Sequence, residues 1–95
     1  MRSTYNFDKN GREIFCCDFV KINFNKYDKP KYIGIIEFNK ETASFVARGV
    51  GVIVYPEDRE VLTMEPQEEI VKYNNEWVKQ RFWNFGEGIF FEVIQ

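Results

Sequence analysis

Residues 18–48, DFVKINFNKYDKPKYIGIIEFNKETASFVAR, hold three runs rich in β-branched and aromatic side chains, at 19–24, 32–38 and 43–48. Each break between them carries turn chemistry, and that spacing restricts this part of the chain to a meander. Val20, Ile22 and Phe24 alternate with Lys21 and Asn23, which predicts one apolar and one wet face. The segment 25–30 has no periodicity. Pro30 removes a backbone donor and pushes Lys29 away from helix. Asn39-Lys40-Glu41-Thr42 is a short polar bend between two apolar runs, the composition of a hairpin loop.

The flanking segments add elements. Residues 1–6 are expected to fray or to add a short edge strand. Asp8-Lys9-Asn10-Gly11 is the strongest local turn, because Gly takes positive φ at no steric cost and Asn tolerates it. Residues 13–15 lead into the meander. The Gly49-Val50-Gly51 triplet precedes an apolar run at 52–55 closed by Pro56. It reads as a bulge or bend, since a phosphate-binding glycine turn needs a helix after it. A short strand is expected at 61–64. Over about 66–83 an amphipathic helix is favoured: Pro66 suits the first helical position, and Glu68 and Glu69 complement the helix dipole. Ile70, Val71, Tyr73, Trp77, Val78 and Phe82 share half of the helical wheel, with Trp83 outside that arc and so projecting outward. The alternative is a hairpin turning at Asn74-Asn75. A last strand is expected at 89–94. Together these predict a single domain over 1–95, mostly β (α+β), a small rolled antiparallel sheet of SH3-like or barrel-like form with one C-terminal helix.

Ten Phe, five Tyr and two Trp in 95 residues give such a domain enough apolar area for a core. There is no histidine, which removes the commonest general base and transition-metal ligand. Cys16 and Cys17 are adjacent and cannot staple distant segments. The first ten residues are polar and no apolar run approaches the ~20 residues of a membrane span, so neither leader nor span is expected. A reducing, cytoplasmic setting fits. Residues 1–51 carry nine Lys/Arg against six Asp/Glu and residues 52–95 four against nine, within a net charge of −2. This asymmetry suits oriented docking or self-association, although charges also fall wherever faces are solvated.

The run Phe7-Asp8-Lys9-Asn10-Gly11-Arg12-Glu13-Ile14-Phe15, then Asp18-Phe19-Val20-Lys21, with Gly34-Ile35-Ile36-Glu37-Phe38 and Ser44-Phe45-Val46 following, resembles a recurring segment of YopX-type proteins. These are small proteins of phages and prophages of Gram-positive bacteria. The resemblance covers about residues 5–48 and implies a mostly-β fold and a phage context, with the bacterial host's cytoplasm as the setting. It brings no catalytic residues. Where the family pattern has Glu-Gly before the aspartate, this chain has Cys16-Cys17. The turn there is expected to use Cys17 in some other conformation, because positive φ costs a Cβ-bearing residue ~1 kcal/mol or more.

No catalytic, cofactor or metal residues are expected. A zinc site at Cys16-Cys17 would need two further ligands that no other Cys or His supplies, and two small buried hydrophobes is the plainer reading. The acidic run Glu57, Asp58, Glu60, Glu65, Glu68, Glu69 reads as a solvated face, or as a carboxylate surface mimicking nucleic-acid phosphates. Lys21, Lys26, Lys29 and Lys31 with Phe24, Tyr27 and Tyr32 have the composition of a single-strand-binding loop, or of any exposed connection. Outward Trp83 would anchor an interface. The expected function is a non-enzymatic phage interaction protein that inhibits a bacterial defence system by contact with a host protein. The partner surface would comprise Lys26, Tyr27, Lys29, Lys31, Glu57, Asp58, Glu60, Glu68, Glu69 and Trp83. The alternatives are a protein sequestering a nucleotide or small ligand, and a nucleic-acid-binding barrel. A second copy of the chain is a further candidate partner.

Overall fold

The computed structural model describes residues 2–25, 27–65, 70–73, 76–79, 82–86 and 88–94. Strands β1 (Ser3–Phe7) and β2 (Glu13–Phe15) form an antiparallel pair across the Asp8–Gly11 turn. The meander follows as β3 (Phe19–Asn23), β4 (Tyr32–Asn39) and β5 (Ser44–Val54), paired antiparallel in that order. Then come β6 (Val61–Thr63), β7 (Ile70–Tyr73), β8 (Glu76–Lys79), β9 (Phe82–Asn84) and β10 (Phe90–Val93). The main sheet runs β10-β3-β4-β5-β6, with β9 also pairing β5. Its two ends do not pair with each other among the described residues, so the sheet forms no closed SH3-like barrel. No helix among the described residues is long and apolar enough to cross a membrane.

The helix expected over 66–83 is not formed by the described residues of that stretch. Its described residues lie in three strands, and β7 pairs β8 with Val71 opposite Val78 and Tyr73 opposite Glu76. The stretch is dense in β-branched and aromatic residues, which suit a pleated ribbon. The hairpin alternative is the arrangement observed, although Pro66, Glu68, Glu69, Asn74 and Asn75 themselves lie outside the described residues. Trp83 is accordingly not outward but buried, with 6% of its surface exposed. On β9 it stands opposite Ala47 of β5. A small residue at Ala47 leaves room for the indole, and Gly34 leaves room for Ile22, whose Cδ1 lies 2.9 Å from where a Cβ at 34 would sit.

The core gathers on one face of this sheet. Val20, Ile22, Ile36, Ala47, Trp83 and Phe91 cluster there with Ile14 from β2, as the two-residue period of strands requires. Trp83 lies 5.2 Å from the Tyr32 ring and 6.2 Å from Phe24, centroid to centroid. The opposite face is less wet than the alternation predicts, since Asn23, Ile33 and Ile53 are also buried.

The Gly49-Val50-Gly51 triplet is a bulge within one long strand. Ile33 pairs Gly51 while Gly34 pairs Gly49, leaving Val50 as the extra residue. The outer edge of β5 is divided around it, with β9 on Val46–Arg48 and β6 on Val52–Val54. Strand β10 ends the sheet beside β3. Its outer edge is covered by the first turn, where the Lys9 N–H donates to the Phe91 carbonyl at 2.9 Å.

The turn from β2 to β3 corrects a second expectation. Cys17 does adopt positive φ, at 76°, the conformation in which glycine would carry no strain. The turn closes at both ends: the Asp18 N–H donates to the Phe15 carbonyl at 3.1 Å, and Asp18 Oδ2 accepts the Phe15 N–H at 2.9 Å. The Cys17 N–H donates to the Ile36 carbonyl at 2.8 Å. These bonds hold the residue in a region that costs a Cβ-bearing residue ~1 kcal/mol or more.

Candidate functional site

The loop between β3 and β4 and the turn after β5 meet at one end of the sheet. The loop is anchored on both sides, because the Lys31 N–H donates to the Ile22 carbonyl and the Ile53 N–H to the Lys31 carbonyl, each at 2.9 Å. Inside it, Asn25 Oδ1 accepts the backbone N–H groups of Tyr27 at 2.7 Å and Asp28 at 2.9 Å. Its Nδ2 donates to Asp28 Oδ2 at 2.6 Å, and Asn23 Nδ2 donates to the Asp28 carbonyl. An asparagine that bonds the backbone two and three residues on builds such a turn locally. These bonds hold the backbone at Tyr27 and Asp28 and leave Tyr27 with 91% of its surface exposed.

Tyr55 joins this loop to the acidic turn. Its hydroxyl donates to the Pro30 carbonyl at 2.6 Å. Burial, with the negative charges of Glu60 and Glu92, pushes the phenol above its ordinary value, so it stays a donor. Lys29 Nζ sits 4.8 Å from the centroid of the Tyr55 ring and 3.8 Å from Asp58 Oδ1. Pro56 to Arg59 forms a tight turn in which the Arg59 N–H donates to the Pro56 carbonyl at 3.0 Å. Glu57 and Asp58 both take positive φ there, 53° and 60°, and both are exposed. Glu60 is ion-paired with Lys21 of β3.

Lys29 and Asp58 therefore meet across segments about 30 positions apart in the sequence, with Tyr27 and Lys31 on the loop beside the first and Glu57 and Glu60 on the turn beside the second. Opposite charges meet there, notably Lys29 with Asp58 and Lys21 with Glu60, rather than forming separate basic and acidic faces. Lys26, Glu68 and Glu69 lie outside the described residues. Trp83 does not belong to this surface, being in the core. Sequence reasoning passed over Asn25 and Tyr55, two residues that shape it, and read Pro30 only as a helix breaker. The Asn25-x-x-Asp28 spacing carried that signal for the loop; the Tyr55 contact carried none.

Two concave features lie elsewhere. A cleft of about 490 Å³ is lined by Phe7, Lys9, Phe85, Phe90 and Phe91 among others, and the Lys9 ammonium there is 3.6 Å from the Glu92 carboxylate. A second hollow of about 370 Å³ is lined by Phe19, Ile33, Leu62, Met64 and Ile94. No group of three or more Cys, Asp or Glu suited to a metal ion occurs among the described residues.

Comparison with protein-family models, curated proteins and solved structures finds no match to this chain.

Proposed function

We propose that this chain is a non-enzymatic phage interaction protein, an inhibitor of a bacterial defence system that binds a host protein through the 25–31 loop and the 56–60 turn. The observation that carries the reading is Tyr27, 91% exposed on a backbone that Asn25 holds in place. An exposed aromatic on an anchored backbone contributes contact area without a backbone-ordering cost on binding, which suits an interface anchor. The mixed charges beside it, Lys29 and Lys31 against Glu57 and Asp58, set orientation and exclude wrong partners. The phage context and the defence target rest on the resemblance of residues 5–48 to YopX-type proteins.

The same surface suits nucleic acid less well, because the Asp58 carboxylate stands beside Lys29 where a phosphate backbone would run. The small-ligand reading draws on the aromatic cleft beside Phe7 and Phe85. Its size falls within the ~300–1,000 Å³ usual for ligand pockets. Against a nucleotide in particular, Lys9 is already paired with Glu92.

The test is affinity capture from a bacterial host lysate with the unsubstituted chain and with Tyr27→Ala, followed by sizing chromatography of any complex. A host protein that forms a stable complex with the first and binds Tyr27→Ala weaker by about 2 kcal/mol, the scale of an interface anchor, is the expected result. A partner retained equally by both chains overturns the assignment of this surface. Thermal stabilisation by a nucleotide, with no protein complex, would favour sequestering instead.

A further inference from the structure

The two thiols at the β2–β3 turn are arranged to be bridged by a third atom. Cys16 Sγ and Cys17 Sγ lie 3.9 Å apart. That is nearly twice the ~2.05 Å of a disulfide. It is close to the separation, about 3.8 Å, set by two ~2.3 Å metal–sulfur bonds at a tetrahedral angle, and a pyramidal trivalent arsenic, with its narrower angle at the metalloid, draws the sulfurs closer by side-chain rotation. The backbone at both residues is fixed: the Cys16 N–H donates to the Arg2 carbonyl and the Cys17 N–H to the Ile36 carbonyl, each at 2.8 Å. Cys17 is exposed and Cys16 half-buried, so the pair is open to solvent on one side. Such anchoring leaves side-chain rotation as the only adjustment that bridging requires.

We propose that Cys16 and Cys17 form a bidentate capture site for a soft, thiophilic metalloid or metal centre with two exchangeable positions. Soft centres select thiolate ligands, and a centre with two open positions needs no further protein ligand. With a monosubstituted trivalent arsenoxide the step balances without an oxidant. Each thiol gives up its proton, two arsenic–sulfur bonds form, and the arsenoxide oxygen leaves with both protons as water. The second bond is intramolecular, and its advantage is the high effective concentration of a neighbouring group.

The probe is phenylarsine oxide, added to the full chain and followed by intact mass and by titration of free thiols. One arsenical per chain, both thiols lost together, release by dithiothreitol and resistance to excess mercaptoethanol are the expected results. Cys16→Ser and Cys17→Ser should each bind at least about 100-fold more weakly, because the intramolecular bond is gone. Release of the arsenical from the unsubstituted chain by mercaptoethanol, or two arsenicals per chain, would overturn the proposal. That competition requires no substitution and so decides the matter even where a serine variant fails to fold.

Discussion

The carboxylate of Asp8 accepts the backbone N–H of Val93 at 3.0 Å, fastening the first turn of the chain to its last strand. The same carboxylate accepts the N–H groups of Asn10 at 2.9 Å and Arg12 at 2.8 Å, so one buried side chain closes its own turn and a sheet edge together.

Asp8→Asn is therefore expected to destabilise the fold by about 1–3 kcal/mol, because one carboxylate oxygen becomes an amide that cannot accept. Burial alone would raise this carboxyl, but the backbone donors of Val93, Arg12 and Asn10, with the Arg12 charge, together hold it below the ordinary aspartate value. A depressed folded-state value means its stabilisation is complete above the unfolded value of about 3.9 and is lost as pH falls through the folded one. Urea unfolding at pH 7 and in steps below about pH 4 should show a loss in the parent chain that is smaller in Asp8→Asn.

The two tryptophans should separate cleanly. Trp83→Ala removes the centre of the core cluster and is expected to cost about 3–5 kcal/mol. Trp77, with 73% of its surface exposed, should change stability by less than about 0.5 kcal/mol when replaced by Ala. Denaturant midpoints of the two variants check this, and an equal loss in both would contradict the placement of Trp83.

Cys17→Gly should stabilise the protein by about 0.5–1 kcal/mol. The gain is relief of positive-φ strain, reduced by the extra freedom of glycine in the unfolded chain. A lower melting temperature would show that the Cys17 side chain contributes more than its backbone costs.

Gly51→Ala should destabilise by about 1–3 kcal/mol, since its Cβ would lie 2.6 Å from the Thr63 carbonyl oxygen and 3.1 Å from Ile33 Cδ1, an overpacked contact. Amide exchange should accelerate at Val61–Thr63 and stay slow at Phe82–Asn84.

The meander was legible because its information is local: alternation in β3, the polar hairpin loop after Asn39, and the glycine pair around Val50. The segment from Ile70 to Asn84 was misread because its apolar residues satisfy a helical wheel and a ribbon at once. What separates the two is pairing, Val71 with Val78 and Trp83 with Ala47, and pairing is a property of distant residues that no window contains. The role of Asp8 was hidden for the same reason: its turn was plain, but its bond to Val93 spans the length of the chain. Among the site residues, Tyr27 and Lys29 follow from the loop's composition. Their company with Asp58 follows only from the way β4 and β5 lie side by side.

The bulge at Val50 splits the outer rim of β5 between two short strands. Each of these tenants is held by three residue pairs, and among the described residues no ladder joins β6 to β9. Strand β9 is pinned by Trp83 in the core, whereas β6 brings only half-buried and exposed residues, so β6 is the one whose release bares a three-residue berth for an extended segment while the core cluster stays intact.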